Sequence, residues 1–151
     1  EVTLLAVTKT YPASDAEILA ELGVADVGVN RHPEAERKKS ETRADLRWHF
    51  LGGLQTNKAA AVAKYADMVH SVDRPKLVRA LNQGAESAGR MLDCLVQVDF
   101  DTTDPGRAGV EPDKALELAD LVSQSDHLHL AGGRATGSRS GAGLCTVSHP
   151  Q

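Results

Sequence analysis

The sequence predicts an α/β fold in which repeated βα units build a parallel sheet. Short apolar runs rich in β-branched residues recur roughly every 20 to 30 residues, and helical patterns separate them. The first run, Thr3–Thr8, is almost continuously apolar, which is typical of a strand covered on both faces. We therefore expect this run to be a buried central strand.

The other strands are predicted where apolar runs fall between glycines and polar residues. They are expected at Asp26–Val29, Arg47–Leu51, Met68–Ser71, Leu92–Val98 and His127–Ala131. Cys94 lies inside one of these runs and is interpreted as a small buried hydrophobic residue.

The segments between the strands carry signals of helix starts and ends. Ser14 and Glu17 have the spacing of a capping box, and Gly23 stands where the first helix is expected to end. Asp73 is expected to cap the helix after the fourth strand. Further helices are expected at about 34–40, with a solvated outer face, at about 57–65, and from Pro112 onward.

The composition is that of a globular protein without a charge-driven partner. Hydrophobic residues make up 41% of the chain, and 17 Lys and Arg against 21 Asp and Glu give a formal net charge of -4. This balance gives no general attraction for nucleic acid or anionic membranes. No apolar run approaches the roughly 20 residues that cross a bilayer, and no leader-like segment opens the chain. We therefore expect a cytoplasmic protein without nucleic-acid or membrane partners.

The last part of the sequence differs from the rest. From Gly132 onward it is rich in Gly, Ser and Arg and has no apolar period, so we expect a domain over 1–131 and an irregular tail over 132–151. A shift of reading frame near Gly133 is our hypothesis for this change. A complete (β/α)₈ barrel needs about 250 residues, so roughly six βα units of one are expected. The unpaired edges of such an open sheet predict self-association, and the opening Glu1 predicts a fragment or processed product.

Polar or small residues follow the predicted strands where they end. They are Lys9, Asn30, the Gly52-Gly53 turn, Ser71 and Asp99. The carboxyl ends of parallel strands share one edge of the sheet, so these residues are expected to converge on one mouth. A lysine at the end of a buried strand can be desolvated and present the neutral amine that attacks an aldehyde. Lys9 is therefore the candidate for a Schiff base.

Two of these positions have simpler structural interpretations. The Gly52-Gly53 turn lacks the spacing of a nucleotide-binding loop, and a close-packed turn between strand and helix is favoured over an anion site. Asp99, Asp101 and Asp104 lack a calcium-loop pattern and are interpreted as turn residues, so no metal is assigned.

Four segments resemble one family. LLAVTKT around Lys9, GVN at Gly28–Asn30, HFLGGLQTNK at His49–Lys58 and HSVDR at His70–Arg74 occur in its order and spacing. The family is that of the YggS/PROSC pyridoxal phosphate homeostasis proteins, and the resemblance runs from about Val2 to Ala131.

The resemblance implies an incomplete alanine-racemase-like (β/α)₈ barrel with pyridoxal 5′-phosphate on Lys9. It further implies a cofactor site that includes Asn30, His49, Gly52 and Ser71. The family's members are regarded as monomeric carriers or regulators of the cofactor pool, so no turnover reaction and no catalytic residue are implied.

The sequence departs from the family near the expected pocket. Val29 stands where the family usually has Glu, and Pro33 where it usually has Gln. The late phosphate-binding loops have no counterpart after Gly132, so weak cofactor affinity is expected. Two alternatives stay open: a racemase or decarboxylase relative, which needs a second acid or base group, and a nonfunctional fragment.

Overall fold

The computed structural model describes residues 2–101, 103 and 106–136. Within them a parallel sheet has its strands in chain order, as the βα alternation predicted. The strands are β1 (Leu5–Val7), β2 (Asp26–Val29), β3 (Arg47–Phe50), β4 (Met68–Val72), β5 (Leu92–Asp99) and β6 (Leu128–Thr136). The helices between them are α1 (Ala13–Glu21), α2 (Glu34–Glu41), α3 (Ala59–Tyr65), α4 (Pro75–Ser87) and α5 (Ala115–Ser123). The predicted α/β class is confirmed.

The two faces of the sheet differ in chemistry. Paired residues of parallel neighbours point to the same face, and Val27 pairs with Trp48, both fully buried in the main core with the helices. Cys94 belongs to the same core, as predicted. The opposite, inner face carries buried histidines and a small apolar cluster of Met68, Leu95 and Ala131.

A single side chain shows that the sheet is curved toward this inner face. Arg134 on β6 donates from Nη1 to the carbonyl oxygen of Leu51, just after β3, over 3.1 Å. In a flat sheet these strands would be three spacings of about 4.8 Å apart, farther than an arginine side chain reaches. The inner face is therefore concave.

The prediction that the first strand is central and buried is wrong for the described residues. β1 lies at one edge of the sheet, is only three residues long, and leaves Val7 48% exposed. An apolar run shows that a strand can be covered on both faces, but whether a neighbour covers it depends on the rest of the fold.

Both predicted caps at the N-terminal ends of helices are also wrong. α1 begins at Ala13, so Ser14 lies inside the helix, and the carboxylate of Glu17 instead accepts from the backbone N–H groups of Arg43 and Ala44. α4 begins at Pro75, because a proline at the first helical position moves the start beyond Asp73. Asp73 pairs with Arg74.

β6 continues past its predicted end at Ala131, and residues 132–136 of the predicted tail lie in the sheet. The register shifts between Cys94 and Leu95, where Gly132 adopts a φ of 143°. Glycine takes this conformation without the strain of a side chain, so the strand passes the irregularity instead of ending there. Residues 137–151, with most of the predicted tail, lie outside the described residues. Within the described part, no helix is long and apolar enough to span a bilayer.

Candidate functional site

Lys9 and Asn30 line one cavity at the carboxyl ends of β1 and β2. The cavity has a volume of about 290 Å³, and Thr10, Arg31, Glu34 and Lys38 also contribute to its wall. Lys9 is exposed to solvent, so the desolvation expected of it is not present in the described residues. Its position at an edge strand explains this. Of the residues expected to converge on one mouth, Lys9 and Asn30 line this cavity together.

The backbone that carries Lys9 is held from two sides. The N–H and the Oγ1 hydroxyl of Thr8 both donate to the carbonyl oxygen of Gly28 on β2, over 2.9 and 3.1 Å. The carbonyl of Thr8 accepts from Nζ of Lys38 on α2 and from the N–H of Tyr11. Thr8, the residue before Lys9, is therefore fixed to both β2 and α2.

Lys38 is a residue of this site that the sequence analysis missed. Lys38 is 6% exposed, although α2 is highly charged and only its solvated outer face was predicted. Burial lowers the pKa of Lys38, against the opposing effect of Glu34 and Asp15. The signal was present, because Ala35 and Lys38 stand one helical turn apart and form the buried side of α2.

Gly52 fixes the backbone of Asn30 by close contact. A Cβ atom built on Gly52 would lie 2.1 Å from the carbonyl oxygen of Asn30, so only a hydrogen atom fits there. A Cβ atom built on Gly53 would have no other atom within 4 Å. The predicted close-packed turn is confirmed, and it places the end of β3 against the residue that lines the Lys9 cavity.

Asp26, His49 and His70 form a buried chain on the inner face of the sheet. His49 Nε2 lies 2.7 Å from Oδ1 of Asp26, and His49 Nδ1 lies 2.9 Å from Nε2 of His70. Since an aspartate only accepts, His49 donates to it from Nε2 and accepts at Nδ1. His70 then donates from Nε2, and its own Nδ1 is an acceptor.

The environment keeps both histidines uncharged near neutral pH. Burial lowers the pKa of His49 despite its hydrogen bond to Asp26. Burial is also the main cause that lowers the pKa of His70 to about 3, with further contributions from His49, Arg134 and Arg47. His49 belongs to the buried chain on the inner face of the sheet. It is not among the residues that line the Lys9 cavity.

The other predicted site residues occupy separate places. Ser71 is 2% exposed, and its Oγ has no hydrogen-bond partner among the described residues. Asp99 accepts from the N–H of Asp101, the turn contact expected of these residues. Asp104 lies outside the described part of the chain.

Comparisons with known proteins agree with this architecture. The profile of the family described as alanine racemase, N-terminal domain, matches residues 1–133. The pyridoxal phosphate homeostasis protein of Corynebacterium glutamicum is 39% identical over 138 residues, which cover 87% of this chain and 62% of that protein.

Solved structures of related proteins have a similar architecture. PipY of Synechococcus elongatus, solved without pyridoxal phosphate, has a TM-score of 0.81 and 34% identity over 89% of this chain and 63% of PipY. PipY with pyridoxal phosphate bound has a TM-score of 0.79 and 31% identity over 91% of this chain and 65% of PipY. An alanine racemase of Clostridium difficile, with a TM-score of 0.73, 18% identity and coverage of 89% and 35%, shares the fold.

The chain spans less than two thirds of the length of the Corynebacterium glutamicum homeostasis protein and of PipY. The predicted resemblance to them and the predicted alanine-racemase-like architecture, present in part, are both confirmed. On the match to residues 1–133, the chain belongs to the alanine racemase N-terminal domain family.

Proposed function

We propose that this chain binds pyridoxal 5′-phosphate through Lys9 and serves, without a turnover reaction, in cytoplasmic homeostasis of the cofactor. One observation carries the proposal: Lys9 and Asn30 line the same cavity within the segment that matches the family. Relatives named as pyridoxal phosphate homeostasis proteins, and PipY with the cofactor bound, support it.

The residue types in the site suit this cofactor. Pyridoxal phosphate supplies an aldehyde, and an accessible lysine amine can condense with it to a Schiff base, with release of one water. Lys9 is accessible, and the contacts of Thr8 hold its backbone in place. Ser71 is not among the residues that line the Lys9 cavity, but its buried Oγ has no hydrogen-bond partner among the described residues and is a polar atom that a polar ligand can satisfy.

Self-association is part of the proposal because β1, α1 and the turn between them present apolar side chains to solvent. Val7, Ile18 and Tyr11 are 48%, 53% and 57% exposed. Two copies of this chain could bury such surface against each other. Among the described residues, β1 has a neighbouring strand on one side only, which leaves backbone groups unpaired on the other side.

Covalent trapping tests the proposed function. Purified protein is titrated with pyridoxal phosphate, the Schiff base is followed by its absorption band, and the bond is reduced with borohydride. Peptide mapping is expected to find the cofactor mass on Lys9. Lys9→Ala is expected to abolish the band, whereas Lys64→Ala, which removes an exposed lysine of α3, is expected to retain it. A band of full strength in Lys9→Ala would contradict the proposal.

Lys38→Met is expected to reduce the share of trapped cofactor found on Lys9, relative to other lysines, several-fold. The carbonyl of Thr8 loses its charged donor, so the turn that carries Lys9 is no longer held to α2. The free energy of unfolding is expected to fall by about 1–3 kcal/mol. Quantitative peptide mapping measures the first effect and urea unfolding the second.

Lys39→Met is the matched control. Lys39 is the next residue of α2, and its Nζ donates to the carbonyl of Tyr65 over 2.8 Å, away from the cavity. This variant also removes a hydrogen bond from lysine to a carbonyl, but it leaves the Thr8 contact in place. If both variants lowered the share of trapped cofactor on Lys9 equally, the proposal that Lys38 positions Lys9 would be wrong.

A further inference from the structure

Arg134 directs its charge into the concave face of the sheet. Its register partner on β5 is Gln97, two residues beyond Leu95, which belongs to the inner apolar cluster. Alternate residues of a strand share a face, and paired residues of parallel strands do too. Arg134 therefore lies on the same face as His70, and its charge contributes to the lowered pKa of that histidine.

This guanidinium has no carboxylate partner in the part of the chain that the structure describes. Arg47, Arg74 and Arg90 each pair with an aspartate, whereas the contact made by Arg134 is to the carbonyl of Leu51. A guanidinium has five N–H donors, and one carbonyl leaves most of them for another acceptor. A part-buried cation with such donors is stabilised by an anion that binds it.

An unpartnered hydroxyl lies on a strand that the Arg134 side chain crosses. To reach Leu51 after β3, the side chain extends from β6 over β5 and β4. Ser71 is near the carboxyl end of β4, and its neighbour Val72 belongs to the helix-side core, so Ser71 faces the other way. The register shift between Val69 and Val72 lets both His70 and Ser71 face inward. Buried hydroxyls normally have a partner, and Ser71 Oγ has none among the described residues.

We propose that Arg134 and Ser71 form an anion subsite on the inner face, which takes a phosphate group. Arg134 provides charge and paired N–H donors, and Ser71 provides a hydroxyl donor, a combination suited to phosphate oxygens. The neutral His70 beside them adds no negative charge. This inference rests on the proposed function only where the phosphate is that of pyridoxal phosphate, because free orthophosphate fits the same chemistry.

A series of contacts connects this subsite with the Lys9 cavity. Leu51, which accepts from Arg134, is followed by Gly52, and Gly52 lies against the carbonyl of Asn30. Asn30 lines the cavity with Lys9. The subsite thus supplies the phosphate contact that the sequence analysis could not find, from a strand that was expected to end before Arg134.

A comparison of pyridoxal phosphate with pyridoxal tests the proposal, since pyridoxal keeps the aldehyde and lacks the phosphate. We expect Arg134→Gln to weaken binding of pyridoxal phosphate at least tenfold and to leave binding of pyridoxal within twofold. Ser71→Ala is expected to act in the same direction, more weakly. Arg79→Gln removes an exposed arginine of α4 and is expected to change neither affinity.

Orthophosphate alone provides a readout that needs no Lys9 chemistry. It is expected to raise the melting temperature of the wild type and of Lys9→Ala, but not that of Arg134→Gln. Equal phosphate stabilisation in wild type and Arg134→Gln, with an unchanged preference for pyridoxal phosphate over pyridoxal, would overturn the subsite. Failure of Lys9 to bind either aldehyde would overturn the proposed function, while loss of phosphate stabilisation in Arg134→Gln would still support the subsite.

Discussion

Gly52→Ala is expected to destabilise the fold by about 1–3 kcal/mol and to weaken pyridoxal phosphate binding at least tenfold. The new Cβ would lie 2.1 Å from the carbonyl oxygen of Asn30, and this neighbour is backbone, so no side-chain rotation relieves the overlap. The loop after β3 or the end of β2 must move. Such a movement displaces both Asn30 in the Lys9 cavity and Leu51, the partner of Arg134. Urea unfolding and absorbance titration measure the two effects.

Gly53→Ala is the matched control for this prediction. It adds the same methyl group one residue later, where no atom lies within 4 Å of the new Cβ. We expect its stability to stay within about 0.5 kcal/mol of the wild type, as for most surface substitutions, and its affinity to be unchanged. Equal behaviour of the two variants would show that contact with Asn30 does not determine the site.

Lowering the pH from 8 to 5.5 is expected to reduce the free energy of unfolding by about 1 kcal/mol through His70 alone. The pKa of His70 is lowered to about 3 in the folded chain, against 6.5 as its ordinary value. Below pH 6.5 the unfolded chain takes up a proton that the folded chain does not, so acid favours unfolding. The stability that neutral His70 gives is complete above pH 6.5 and is lost as the pH falls toward 3. The pKa of His49 is also lowered, so the total loss is larger.

Urea unfolding between pH 8 and pH 5.5 tests this dependence in a range where most carboxylates remain ionised. His70→Gln is expected to be less stable at pH 8, because it disturbs the bond to His49, and to show a smaller loss on acidification. His129→Gln, which removes an exposed histidine of β6, serves as the control. A wild-type stability that did not change over this range would contradict the assignment of neutral buried histidines.

The positions of the strands depend on local pattern and were predicted from the sequence. Each expected strand is present because an apolar run bounded by turn residues has few other ways to be buried. The meeting of Lys9 with Asn30 was also predictable, since the ends of neighbouring parallel strands must lie side by side.

The remaining features depend on contacts between distant parts of the chain. The exposure of β1 depends on which strands lie beside it. In the sequence, Lys38 is one of several charged residues of α2, and only the fold shows that it contacts Thr8. Arg134 was missed because Gly132 was interpreted as a strand end, whereas it lies at a register shift within β6. The spacing of Ala35 and Lys38 is a local signal for the buried side of α2, but no local pattern indicates the edge position of β1 or the extension of β6 to Arg134.

The peptide unit between Thr8 and Lys9 links the occupancy of the cavity to the opening of a helix. Lys38 cannot leave its place as α2 frays without releasing the Thr8 carbonyl, and that carbonyl precedes the residue that would hold the ligand. A molecule attached to Lys9 therefore opposes local unfolding of α2 by mass action. Amide hydrogen exchange along Glu34–Glu41 should therefore slow when a ligand is attached to Lys9. The exchange rate of this helix would then measure ligand binding at the end of the three-residue strand β1.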